Sequence, residues 1–148
     1  MDATIRFSII DRQLVYMPAE PLVCEYELQL VKPDDVHAVE ASVLWYTEGK
    51  GGEDMAVHFF ERRVREDVLD KDLRRPHRFE TTLPNSPLSY FGAIVRICWC
   101  ARLRVFLRNG EASVEQIPFQ LGDVPRQRIR ERSPVAKDVF SRMTANPQ

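Results

Sequence analysis

Four arginines, Arg96, Arg102, Arg104 and Arg108, recur at even positions within one segment, and in an extended strand even spacing sets side chains on a single face. Guanidinium groups aligned that way present several planar, bidentate donors to carboxylates or phosphates, which makes this stripe the candidate partner-binding surface. A purely structural role competes with it. Glu25 and Glu27, in the outward phase of another segment, are expected to pair with the arginines across a sheet. His37, His58 and His77 fall on three separate segments and share none of the His-x-x-x-His or Glu-x-x-His spacings that bring ligands or proton-transfer groups together. No catalytic residue and no metal ligand is assigned to them. Gly49-Lys50-Gly51-Gly52 lacks both the Gly-x-x-x-x-Gly-Lys-Ser/Thr pattern and a following helix, so it reads as a hairpin tip and not as a phosphate cradle.

Of three cysteines, Cys98 and Cys100 lie two apart on one strand face, where their Cα atoms are about 6.6 Å apart and their side chains run parallel. A disulfide between them would be strained, and a zinc site would need a second pair of ligands at a usable spacing. Reduced thiols are expected, with no cofactor.

The elements that would position these groups are strands. Val95, Ile97, Trp99, Ala101, Leu103, Val105 and Leu107 alternate against the arginines, the period-two signature of a strand with one buried face. Burial is worth roughly 1.5–3 kcal/mol for each large apolar side chain, so this strand should be the central beam of a β-fold. At ~3.3 Å per residue, 13 residues would span about 43 Å, long enough that the strand is expected to bend or to serve two sheets. Asn109-Gly110 is a tight-turn dipeptide, and Ala112 to Leu121 returns as its hairpin mate. Upstream, Thr4 to Ile10, Leu14 to Tyr16, Leu22 to Leu30, Val39 to Trp45, Met55 to Val64 and His77 to Leu83 read as further extended pieces. Met55, Val57 and Phe59 share a phase in the fifth of these, with Phe60 on the opposite side, which suggests that both faces are covered there or that a partner surface lies nearby. Arg65 to Arg75 reads as a solvated loop or one short helix. Trp45 and Trp99 both fall in the apolar phase and are expected in the core.

The chain has 148 residues, the size of one domain, and 44% apolar with 29% charged residues is close to the average of globular proteins, which argues against global disorder. Its formal net charge of −1 supplies no overall field for nucleic acid, and no apolar run approaches the ~20 residues that span a bilayer. Without a signal-peptide pattern, the expected location is the cytoplasm. After Gly122 the composition shifts, giving two expected regions: a β-domain over residues 1–122 and a polar tail over 123–148. The tail carries Arg126, Arg128, Arg130 and Arg132, and Ser133-Pro134 there looks like the start of a short helix over Val135 to Met143.

Pro84-Asn85-Ser86-Pro87-Leu88-Ser89-Tyr90-Phe91-Gly92, followed by the strand through Trp99, resembles the arrestin-fold pattern of a proline-and-serine turn with glycine ahead of an alternating strand. Tyr16-Met17-Pro18-Ala19-Glu20 is similar to that family's earlier Pro-Gly-Glu turn, with Ala19 and Cys24 where the family has glycines. The resemblance runs from about Ile5 to Leu121. It implies an all-β, immunoglobulin-like sandwich of two antiparallel sheets, in which Pro84, Pro87, Ser89, Gly92 and Trp99 form the structural motif. Proteins of this fold include arrestins, retromer's cargo-binding subunit and bacterial sporulation-control proteins, which are adaptors and scaffolds. The resemblance therefore implies a non-enzymatic adaptor that binds a protein or peptide. The arginine stripe adds that the partner would be acidic, bound on the basic face or by strand addition at an open edge. Open edges also allow a homodimer, with the C-terminal helix as an arm. A second expectation is a small-ligand or carbohydrate-binding sandwich that uses the loops Thr47 to Asp54 and Asn85 to Phe91; an enzyme ranks third.

Overall fold

The computed structural model describes residues 4–29 and 32–125. Leu30, the arginines of the tail and the helix expected over Val135 to Met143 lie outside the described residues. Eight strands follow in chain order: β1 Thr4–Ile9, β2 Pro21–Gln29, β3 Val36–Gly49, β4 Met55–Val64, β5 His77–Thr82, β6 Tyr90–Phe91, β7 Val95–Leu107 and β8 Ala112–Phe119. The only helical pieces among the described residues are two single 3-10 turns, Pro33–Asp35 and Arg65–Asp67. None of the helices there is long and apolar enough to cross a membrane.

The strands form two antiparallel sheets. One has the order β1-β2-β5, and the other runs β4-β3-β7 with β6 and β8 sharing the far edge of β7. Strand β7 begins and ends where its alternation does, at Val95 and Leu107, and the odd-numbered Trp99, Ala101, Leu103, Val105 and Leu107 are buried. They meet Leu22, Cys24, Tyr26 and Leu28 of β2 in one core. Of the two alternatives expected for the long strand, serving both sheets is not the one the pairing shows. The strand's length is used up within one, because β3 pairs with it from Val95 to Leu107 while β6 takes Arg96 and Ile97 and β8 takes Trp99 to Phe106.

Two further expectations are corrected. Leu14 to Tyr16 is not a strand: Leu14 is almost fully exposed, and only Tyr16 makes a bridge, to Leu121. Strand β4 does not keep one phase. Its pairing with β3 shifts between Val43 and Leu44, so that Val43 opposes Phe59 while Leu44 opposes Val57. The extra residue, His58, makes a β-bulge. Phe59 thereby turns inward and stacks on Phe79 at 5.4 Å, while Met55 and Val57 join Phe60 on the outward side.

Strand β4 is tied to β5 and β2 of the other sheet by polar side chains. His58 Nε2 donates to the Thr82 carbonyl at 2.8 Å, His77 Nε2 donates to Glu61 at 3.0 Å, and Arg63 donates to the Tyr26 hydroxyl at 3.0 Å. Two of the three candidate histidines thus close the sandwich.

Candidate functional site

The arginine stripe splits when placed on the fold. Arg96, Arg102 and Arg104 stand on the outward face of β7, opposite Glu48, Ser42 and Glu40 of β3. Arg108 lies past the strand end, where its backbone N–H donates to Asp35 at 2.8 Å and its side chain joins Asp34, His37 and Arg65 around a separate cleft. The expected acidic partners are different residues. Glu25 and Glu27 belong to the other sheet and pair there with Arg78 at 3.1 Å and Arg6 at 3.9 Å. The arginines of β7 find partners within their own sheet instead, because cross-strand neighbours about 5 Å away are within reach and the opposite sheet's outer surface is not. Arg96 pairs with Glu48 at 3.6 Å and lies over Phe91. Arg102 donates to Gln116 at 2.7 Å, and Arg104 lies over the Phe106 ring at 5.3 Å. Arg62, ion-paired with Glu40 at 2.7 Å, covers the same ring from β4.

Beside these guanidinium groups the outward face is apolar. Leu44 and Cys100, opposite each other on β3 and β7, are buried yet stand outside the core cluster, on the outer surface of the sheet. Around them Met55, Val57 and Phe60 are 58%, 50% and 55% exposed, enough to place three large side chains half in water on one edge strand. Alternation signalled this patch through Phe60 alone and set Met55 and Val57 on the inward side with Phe59. The signal available was the adjacent pair Phe59-Phe60, two aromatic side chains that cannot both face inward in a regular strand.

The proline-and-serine turn clamps the core. Pro84 follows β5 and has no N–H to continue its ladder. The Ser86–Pro87 peptide is cis, and the Pro87 carbonyl accepts a 2.8 Å hydrogen bond from the indole Nε1 of buried Trp99. Buried Ser89 exchanges two bonds with Leu121: its hydroxyl accepts the Leu121 N–H at 2.8 Å and its own N–H donates to the Leu121 carbonyl at 2.8 Å. Gly92 is required by close approach, since a Cβ there would sit 2.5 Å from the Tyr90 ring and 2.8 Å from the Val95 carbonyl. The earlier turn docks on the same assembly. Ala19 N–H donates to Leu83 and Leu83 N–H to Glu20, both at 2.9 Å, while Glu20 N–H closes the turn on Met17 at 3.1 Å and its carboxylate caps the Met17 N–H at 2.6 Å. Proline at the second position and φ +73 at Ala19 are the features of a type II turn, which explains why glycine suits that place.

A crevice of about 400 Å³ opens where β6 and β8 meet along β7, lined among others by Arg12, Glu48, Phe91, Arg96 and Cys98. The loop Asn85 to Phe91 contributes Ser89 and Phe91 to it, and of Thr47 to Asp54 only Glu48 does. Burial, with the Glu48 carboxylate adding to it, pushes the Cys98 thiol up to about 12, and burial likewise raises Cys100 to about 11 and Cys24 to about 12. These thiols are protonated at neutral pH and poor nucleophiles. Among the described residues all three cysteines are free, and no group of three or more His, Cys, Asp or Glu side chains is placed to hold a metal ion.

No family model matches the sequence, and no curated protein matches it. Among solved structures, the chain is similar to Spo0M, the sporulation control protein of Bacillus subtilis, with a TM-score of 0.55 and 11% sequence identity. The match covers 82% of this chain and 50% of that one, so the chain spans half the length of that protein. At such identity the likeness speaks to architecture alone. The described chain folds as an arrestin-like β-sandwich, the architecture that its proline-and-serine turn and long alternating strand resemble in sequence.

Proposed function

We propose that the chain is a non-enzymatic protein-binding module that meets its partner on the outward face and free edge of the β4 side of the larger sheet. The observation that carries this reading is the half exposure of Met55, Val57 and Phe60 side by side on an edge strand. Contiguous exposed apolar side chains are a feature of interaction surfaces, and an edge strand adds unpaired backbone donors and acceptors along the same border. An enzyme is disfavoured by the chemistry of the described groups: the thiols are held protonated, and His58 and His77 are engaged in joining the sheets.

A photo-reactive amino acid placed at Val57, with a control placed at Arg6 on the other sheet, tests the reading in cells that express the full chain. A discrete crosslinked species from position 57 and none from position 6 is the expected result. Equal products from both, or none from 57, would refute it. A second reading, a small ligand in the crevice between β6 and β8, is favoured by its volume, which is in the range of ligand pockets, and by the aromatic ring of Phe91. A fragment screen that shifts the Phe91 amide resonance in a saturable way would support that reading.

A further inference from the structure

The outward face of the larger sheet has a definite layout. Cross-strand pairing sets Val57, Leu44, Cys100 and Pro118 in one row, Phe60, Ser42, Arg102 and Gln116 in the next, and Arg62, Glu40, Arg104 and Val114 in a third. An apolar lane on β4 and β3 therefore runs beside a basic lane on β7. Of the charged side chains on this face, Arg62, Arg96, Arg102 and Arg104 outnumber Glu40 and Glu48 by four to two. Glu40 and Glu48 are paired with Arg62 and Arg96. Among the described residues no carboxylate lies within ion-pair distance of Arg102 or Arg104, and each holds only a neutral partner, Gln116 or the Phe106 ring.

We propose that this face receives an amphipathic helix of a partner protein, whose apolar stripe covers Val57 and Phe60 and whose flanking acidic residues meet Arg102 and Arg104. The inference rests on the protein-binding reading and names the chemistry of the partner. Dimensions favour a helix over a strand. From Met55 to Phe60 the lane is about 15 Å long, and the three strands β4, β3 and β7 span about 10 Å. A helix about 10 Å wide fills that width with about ten residues, whereas an extended segment covers one strand spacing of about 4.8 Å. Charge excludes the two occupants closest to hand. Residues 126–148 contain six basic side chains (Arg126, Arg128, Arg130, Arg132, Lys137, Arg142) against two acidic ones (Glu131, Asp138), which Arg102 and Arg104 would repel. A second copy docked face to face would set one net basic face, four guanidinium groups to two carboxylates, against another.

The test uses the full chain, isotope-labelled, and two synthetic helical peptides with the same leucine stripe, one flanked by glutamates and its twin by lysines. At low salt the acidic peptide should bind about tenfold more tightly than the basic twin, with resonance shifts centred on Val57, Phe60 and Arg102. Arg102→Glu with Arg104→Glu should abolish that preference, and Phe60→Ser should weaken both peptides. Equal affinities, no binding, or shifts centred elsewhere would overturn the proposal; the twin comparison needs only the natural sequence, so a misfolded variant does not spoil it. The photo-reactive group at Val57 separates this failure from that of the broader reading. A crosslink to another protein together with peptide indifference would sink the acidic helix alone, as would a crosslink to a second copy, whereas a crosslink to residues 126–148 of the same chain would sink the broader reading as well. No crosslink at all would sink both.

Discussion

Ala19 and Cys24 stand where the arrestin-type pattern has glycines, and the two places make opposite predictions for the same substitution. Ala19 is exposed, so its methyl group buries little, yet it is held at φ +73, in the left-handed region. That conformation costs a residue with a Cβ roughly 1–2 kcal/mol. Glycine would relieve the cost but add about 0.4–1 kcal/mol of unfolded-state entropy, leaving a net gain of about 0.8 kcal/mol for Ala19→Gly. In a chain of this size that corresponds to a rise of about 2–3 °C in Tm. Cys24 is fully buried in the middle of β2, opposite Ile9 and Phe79. Cys24→Gly removes a core side chain and loosens a strand interior, and should destabilise by about 2–3 kcal/mol. Urea unfolding followed by tryptophan fluorescence measures both, with the denaturant slope checked for constancy. If Ala19→Gly lowered the midpoint, or if both substitutions moved it the same way, backbone conformation would not be what selects glycine in this turn.

Removing the clamp hydroxyl with Ser89→Ala leaves the buried Leu121 N–H without its acceptor and should cost about 1–3 kcal/mol in the same urea titration. Phe60→Ser on the outward face should change stability by less than about 0.5 kcal/mol, because the ring is 55% exposed; a large loss would mean that the patch belongs to the core. The cysteine thiols, with ordinary values near 9, are raised by burial to about 11 or 12, and Tyr46 rises from 10 to about 12. Groups raised in this way favour the folded state fully below pH 9 and lose that contribution as pH climbs through the folded values. Stability should therefore hold level up to about pH 9 and fall between 9 and 12, as chemical denaturation across that range would show. For the same reason Cys98 should react with a thiol reagent at pH 8 far more slowly in the native protein than in urea, and equal rates would contradict the burial argument.

The architecture was legible because β7 is regular: its alternation spans Val95 to Leu107 and its ends coincide with the pattern's ends. Turns with strong local chemistry were legible too, such as Asn109-Gly110, where Gly110 takes φ +92 and the Asn109 side chain accepts from the Glu111 N–H at 2.9 Å. What period-two reading could not supply was pairing between distant strands. It set Glu25 and Glu27 against the arginines because both are outward, but outward on two stacked sheets means facing away from each other. It likewise could not see that one extra residue at His58 reverses the side of everything before it, since a bulge is defined by the partner strand's register and not by the bulged strand's own sequence.

That single inserted residue also links fold to proposed function. If β4 ran without the bulge, Met55 and Val57 would continue the phase of Phe59 and face inward, leaving Phe60 as an isolated exposed ring of the kind many surfaces carry. With it, His58 and Phe59 both turn toward the other sheet, where one bonds Thr82 and the other stacks on Phe79, and the apolar side chains on either side collect on the outer face. Deleting His58 should accordingly have two outcomes. It should cost stability, through loss of the tie to β5, and it should leave the crosslink from position 57 intact, because with the extra residue gone Val57 still opposes Leu44 and Met55 still opposes Tyr46 in a regular ladder. A folded deletion variant that lost the crosslink would show that the pairing with Leu44 is not what holds Val57 on the outer face, whatever its effect on stability.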